Sequence, residues 1–299
     1  MVILLNPDAQ QGRGAAKWDA IKGAPDIREA SVISIKNHEW RMQMKLRIQR
    51  GETRFIAAGG DGTVNLLLNT LLLYISPGML SGYTIGAIGL GSSNDFHKPI
   101  SMMICGIPVA LDFERAVLRD ICSLDYDNGR RYFMINASIG ITAEANYRFN
   151  HPDALLTILK KVHTGSAILL AAAETIAGYR NIPVCLHRKE SKLHCNVTNL
   201  GIVKNPHFSG SFRYDDEAVY NDGLLRVYLA GDMNKREIPS LMNALVRGKF
   251  RRIAKTSSFS AEKLAVSAEQ EFTVECDGET VKTKKAIFSV YKEAVKVCR

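Results

Sequence analysis

Short apolar runs alternate with amphipathic stretches along the first third of the chain. Residues 2–5, 31–35, 54–58 and 84–88 are apolar runs of strand length, and residues 12–22, 38–50 and 63–75 between them carry helical spacing. Strands separated by helices of this length predict βαβ units, that is, a mostly parallel sheet covered by helices on both faces. Residues 114–119 read as one more helix closing this half.

The period changes near residue 121. Residues 123–126 and 131–136 read as strands on either side of Asp127-Asn128-Gly129, because Asn-Gly supplies the positive φ angles of a hairpin. Residues 154–179 read as helix. Residues 183–187, 194–203, 224–229, 263–267, 272–276 and 286–291 then read as strands, so the second half is predominantly antiparallel β with one or two helices. The expected division is an α/β domain over residues 1–120 and a β-rich domain over 121–299.

Charge sharpens this division. The chain of 299 residues has 39 Lys and Arg against 30 Asp and Glu, a formal charge of +9, of which +2 falls before residue 121 and +7 after it. A basic second half suggests an acidic partner, an anionic membrane surface or a nucleic acid. Arg247, Lys249, Arg251, Arg252 and Lys255 form one cluster and Lys282, Lys284 and Lys285 another. Each is a solvated face or a contact for anionic lipid, with Phe250 as an apolar anchor. Aromatic stacking platforms are missing between the cations, which argues against nucleic acid. The 46% hydrophobic content excludes a disordered chain. The six cysteines form no CxxC pair and read as free thiols of a reducing cytoplasm. With no leader and no apolar run of spanning length, the expectation is a cytoplasmic protein whose membrane contact is peripheral.

Candidate chemistry lies in two glycine loops. Gly59-Gly60-Asp61-Gly62-Thr63 joins an apolar strand to a helix. Glycines there admit close backbone approach, and the unpaired N–H groups of the helix favour an anion. Thr63 can cap the helix or hold a phosphate oxygen. Asp61 would repel phosphate unless a cation intervened, which suggests Mg²⁺. No Gly-Lys-Ser/Thr follows, so this is not a Walker A loop, and GxGxxG spacing is missing. Taken alone the segment is a phosphate cradle or a tight turn of small residues. The second loop, Gly89-Leu90-Gly91-Ser92-Ser93-Asn94-Asp95-Phe96, follows the next strand and opens at the same sheet edge.

Asn6-Pro7, GGDGTVN (59–65), GLGSSNDF (89–96), FMINASIG (133–140), NDGLL (221–225) and Asp277-Gly278-Glu279 resemble the diacylglycerol kinase catalytic-domain family, in the family's order and across nearly the whole chain. The resemblance implies an ATP-dependent lipid kinase. Its fold would be a nucleotide-binding α/β domain, a C-terminal β-sandwich-like domain whose last segment returns to the first domain, and a cleft between them. It implies nucleotide contacts from Asn6, Gly59, Gly60, Asp61, Gly62, Thr63, Val64, Asn65, Gly91, Ser92, Asn94 and Asp95, with Asp61 and Asp95 near the nucleotide's Mg²⁺. Ser92 stands where the family usually has Thr, His97 where it has Ala, and Phe208-Ser209-Gly210-Ser211 where a glycine-rich stretch is usual. His97-Lys98 thus places a bulky cation beside the loop.

Locally Asp277-Gly278 is a hairpin turn; the resemblance makes Asp277 and Glu279 the acid/base pair acting on the acceptor hydroxyl. Two apart in an extended segment, they would face one side. Asn221-Asp222-Gly223 is likewise a turn locally, while the resemblance implies a structural divalent ion on the Asp222 carboxylate and the carbonyls of Val219 and Leu224. The partners implied are a lipid substrate and an anionic membrane surface; oligomeric state, a homodimer included, stays open. An NAD kinase, which also uses a GGDGT loop, and a catalytically silent lipid-binding protein are the competing readings.

Overall fold

A computed structural model describes residues 1–151 and 174–299. Strands β1 (Val2–Leu5), β2 (Ser31–Ser34), β3 (Arg54–Gly59) and β4 (Thr84–Gly89) run parallel in the order β2-β1-β3-β4. The apolar runs of β1, β3 and β4 have a physical reason, since both of their faces are covered, whereas β2 at the sheet edge leaves Val32 exposed. Val2 and Leu4 pack with Trp40, Met44 and Ile48 of α2 (Trp40–Gln49) and with Leu67, Leu68 and Leu71 of α3 (Asp61–Leu72). Ile3 and Leu5 face the other way, toward Ile21 of α1 (Arg13–Ile21) and toward Ile107 and Val109 of β6 (Ile107–Ala110). The two-residue β5 (Met103–Ile104) pairs with β6.

Residues 114–119 do not form the expected helix. Residues 117–126 are strand β7 (Val117–Tyr126), which turns at Asp127 and Asn128 into β8 (Gly129–Phe133). The reason is non-local: the whole of β7 lies against residues 286–297 of β17 (Glu279–Val297), and that pairing overrides the charged local sequence. The chain leaves strand conformation at Met134 and Ile135 before β9 (Asn136–Gly140).

The second half is antiparallel. β10 (Ile182–Arg188), β11 (Ser191–Val203), β14 (Leu225–Gly231), β15 (Thr256–Ala261), β16 (Lys263–Cys276) and β17 enclose a core of Val197, Leu200, Val227, Leu264, Val274 and Phe288. The small hairpin of β12 (His207–Phe208) and β13 (Phe212–Arg213) stands apart. Helices α4 (Ile141–Asn150) and α5 (Ile238–Val246) were not placed by the sequence pattern; α5 buries Ile238, Leu241 and Leu245 against Tyr214, Tyr228 and Phe250. The helix expected over 154–179 falls largely outside the described residues, of which 174–178 are helical.

Fifteen of the described strands form one continuous pairing network. Its joint is β17, which starts at the Asp277-Gly278 hairpin and ends parallel to β4, with Lys296 opposite Thr84 and Val297 opposite Ile85. Among the described residues no helix is long and apolar enough to cross a membrane, and all six cysteines are free thiols.

Candidate active site

The two glycine loops meet backbone to backbone at the carboxyl ends of β3 and β4. A Cβ built on Gly91 would lie 2.5 Å from the Gly60 Cα, and one on Gly59 would strike the Thr63 side chain. Only glycine lets the loops touch, which explains these residues by packing as well as by ligand access. Since the resemblance implies that these loops hold ATP, Gly91→Ala is expected to push them apart and weaken ATP binding tenfold or more, about 1.4 kcal/mol. Gly82→Ala, in open space, is the control. Calorimetric titration with ATP checks this; a folded Gly91→Ala protein with unchanged affinity would remove the loops from the nucleotide site.

Asp61 begins α3, where the helix dipole favours an acid. Its Oδ2 accepts the Asp95 N–H at 3.0 Å and its Oδ1 the Phe96 N–H at 2.9 Å, so the first loop holds the second. Burial, with the charges of Asp95 and Asp277, pushes the Asp61 carboxyl up to about 6. Asp95 in turn accepts Lys98 Nζ at 2.7 Å and the Gly210 N–H at 3.0 Å, and Asn205 Nδ2 donates to the Asp95 carbonyl at 2.8 Å. The 208–211 stretch thus clasps the loop from the second domain. Both carboxylates serve as braces rather than as open ligands. Among the described residues no three His, Cys, Asp or Glu side chains converge to hold a metal ion.

The cation beside this loop is Lys98, already paired with Asp95. His97 is not one: burial and the Arg119 charge lower its pKa to about 4, leaving it neutral.

Of the other expected nucleotide residues, Asn6 donates from Nδ2 to Thr63 Oγ1 at 3.3 Å, and Asn94 donates to the Gly89 and Gly91 carbonyls at 3.2 and 3.1 Å. Ser92 is exposed on the loop surface. Val64 and Asn65 are buried. Val64 packs into the core with Leu67 and Leu68, and Asn65 reaches the second domain, donating to the Tyr132 carbonyl and to Asp277 Oδ2 at 3.2 Å.

A third loop escaped sequence reasoning. After β1, Gly12 has φ 88°, and a Cβ on Gly14 would lie 3.0 Å from Ala9 and 3.1 Å from the Pro7 carbonyl. From α1, Lys17 Nζ reaches the Gly91 carbonyl at 3.2 Å, its pKa lowered by burial and by Arg13. The signal was present: Gly12-Arg13-Gly14 between a strand and a helix, then Lys17, is the strand-loop-helix arrangement of the other two loops.

The β16–β17 hairpin turns at Asp277-Gly278, with Cys276 opposite Glu279 and φ of 46° and 93° at the two turn residues. This turn parts the two carboxylates that were expected to face one side. Asp277 is buried, and its Oδ2 accepts the Met134 N–H at 2.9 Å and Asn65 Nδ2. Its Oδ1 accepts the Ile135 and Asn136 N–H groups at 3.1 and 3.0 Å. The break in strand between β8 and β9 exists to turn these three N–H groups inward. Burial nonetheless pushes Asp277 up to about 6 against those bonds. Glu279 instead stands open to solvent, its side chain 60% exposed and 3.8 Å from the Arg131 guanidinium.

Glu275 was not anticipated. It is buried, accepts the Gly278 N–H at 2.6 Å and the Ser138 hydroxyl at 3.0 Å, and burial with the charge of Asp277 raises it to about 7. The turn is therefore clamped from both sides.

The basic cluster is less open than its sequence suggests. Arg251 pairs with Asp216 and Lys255 with Glu237, while Phe250 is fully buried between Tyr214 and Tyr228 and cannot anchor a membrane.

Residues 1–121 match the diacylglycerol kinase catalytic domain, and residues 136–299 match the YegS C-terminal NAD kinase beta sandwich-like domain. Over 98% of the chain it is 22% identical to a protein of Shewanella frigidimarina (strain NCIMB 400) named "Probable lipid kinase YegS-like", covering 91% of that protein. A protein of the same name from Yersinia pestis (strain Pestoides F) is 22% identical over 93% of each chain. A crystal structure of a diacylglycerol kinase from Bacillus anthracis str. Sterne superposes with a TM-score of 0.69 at 15% identity, covering 99% of this chain and 95% of that one.

Proposed function

Because the chain belongs to the diacylglycerol kinase catalytic-domain family and carries a YegS-type C-terminal domain, we propose that it transfers the γ-phosphoryl group of ATP to a lipid hydroxyl. The observation that carries this reading is the bond between Asn65 and Asp277. It fixes the helix that starts at the first glycine loop against the hairpin that presents Glu279, so phosphate cradle and acceptor carboxylate belong to one constellation.

ATP enters as its Mg²⁺ complex, the ion carried by the nucleotide, since the protein offers no cage of its own among the described residues. The backbones of the loops at 59–63 and 89–95 and the start of α3 receive the phosphates, with Lys17 supplying a partly desolvated positive charge. The acceptor carboxylate is Glu279. All four lone-pair positions of Asp277 are engaged, so it cannot take a proton without giving up a bond to backbone or Asn65. Glu279 has no such commitments and takes the proton of the lipid hydroxyl as phosphoryl transfer proceeds. Asp277 and Glu275 position it. Arg247, Lys249 and Arg252 supply the attraction to an anionic cytoplasmic membrane surface from which the lipid is drawn.

The test is incubation with labelled ATP and Mg²⁺ in anionic vesicles containing diacylglycerol, phosphatidylglycerol or a sphingoid base, with NAD as a soluble arm. Mass spectrometry identifies the product. A phosphorylated lipid is expected. Phosphorylation of NAD alone would transfer the chain to the soluble-substrate reading, and ATP binding with no product from any arm would make it a silent binding protein.

A further inference from the structure

The structure assigns the cation position of the Asp222 turn to the side chain of Lys204, so that this turn is closed by an ammonium of the protein itself and takes no divalent ion. Lys204 lies at the end of β11 with its side chain 1% exposed. Its Nζ donates to Asp120 Oδ2 at 2.7 Å, Asp222 Oδ1 at 2.8 Å and the Leu224 carbonyl at 3.0 Å, which uses all three ammonium protons. Two of these oxygens, on Asp222 and Leu224, belong to the set expected to bind a structural ion. An ion 2.0–2.6 Å from them would occupy the space that Nζ fills.

The charge balance points the same way. Asp120 and Asp222 carry two negative charges, and Lys204 and the Arg226 guanidinium, paired to Asp222 Oδ2, carry two positive ones. The group is neutral, and a divalent ion would add two uncompensated charges to a buried site. Most of the remaining acceptor positions are also taken. Asp222 Oδ1 accepts the Leu224 N–H, Asp120 Oδ2 the Gly223 N–H, and Asp120 Oδ1 the Glu293 N–H in the irregular part of β17. Val219, the third expected ligand, is exposed, and the neighbouring carbonyl of Tyr220 accepts the Asp120 N–H instead.

A tethered ammonium joins β7, β11, β17 and the turn as an ion would, without dissociating and without depending on ion concentration. The turn therefore needs no ion of its own. This holds independently of the phosphoryl-transfer reading. The test uses the purified full chain without nucleotide. Its melting temperature is expected to be the same in EDTA and in millimolar Mg²⁺ or Ca²⁺, with no stoichiometric metal by mass spectrometry. One bound ion per chain, or clear destabilisation by EDTA, would overturn the assignment. Lys204→Ala, which strands the buried Asp120, is expected to melt about 10 °C lower in EDTA. Millimolar Mg²⁺ or Ca²⁺ should restore part of that loss in the vacated space. A Lys204→Ala protein as stable as its parent in EDTA would also overturn it, and should that variant fail to fold, the parent's response to EDTA and its metal content decide alone.

Discussion

Glu279→Gln is expected to slow the chemical step about 10²–10⁴-fold, roughly 3–5 kcal/mol of barrier, while leaving the fold and ATP affinity unchanged. The replacement keeps the shape of the side chain and removes only its capacity to accept a proton. Stability should hold because Glu279 is largely solvated and its contact with Arg131, at 3.8 Å and exposed, contributes little. Nucleotide affinity should hold because the glycine loops proposed to receive ATP lie in the other domain. Single-turnover phosphorylation of the lipid identified by the vesicle assay, with parallel ATP titration, separates these quantities. A Glu279→Gln enzyme turning over at the parent rate would move the base elsewhere.

Asp277→Asn should behave in the opposite way, damaging the fold first. Asn tolerates the positive φ of the turn at least as well as Asp, so the turn itself is not disturbed. The three backbone N–H groups of Met134, Ile135 and Asn136 are another matter. An amide offers them one oxygen in place of two, and its NH₂ group then faces buried donors. Each buried group left without a partner costs about 1–3 kcal/mol, and a total of about 2–5 kcal/mol lowers the melting temperature by roughly 5–15 °C. Turnover falls as well, because the hairpin that presents Glu279 loosens. Thermal melts of the two amide variants side by side are decisive: an Asp277→Asn protein as stable as its parent would mean that the carboxylate anchors nothing.

The contrast between these two residues marks where the sequence becomes silent. The parallel strands and both glycine loops are legible because each strand-loop-helix unit is local and its apolar period is unambiguous. The Asp277-Gly278 turn is legible for the same reason. That Asp277 is filled by the backbone of residues 134–136 is not, since those residues are far away in sequence and nothing in FMINASIG marks an interrupted strand. Residues 114–119 looked helical because Glu114, Arg115 and Arg119 suit a solvated helix; only the long partner β17 makes residues 117–126 a strand. The ion at the Asp222 turn was implied by the resemblance alone; Lys204 lies 18 positions earlier, after another strand, with no local sign that its ammonium is buried there. Val64 was assigned by its place in a motif when its apolar side chain already argued for the core.

The course of β17 has a bearing on how the chain is made. Thr84 and Ile85 of β4 find their parallel partners in Lys296 and Val297, so the two residues wait with an open edge until those residues are made. Contacts this distant in sequence close late and slowly, and an unpaired strand edge invites association with other chains meanwhile. The α/β half, made before β17, is therefore the last to have its sheet completed, and it depends on a strand far later in the chain to finish it.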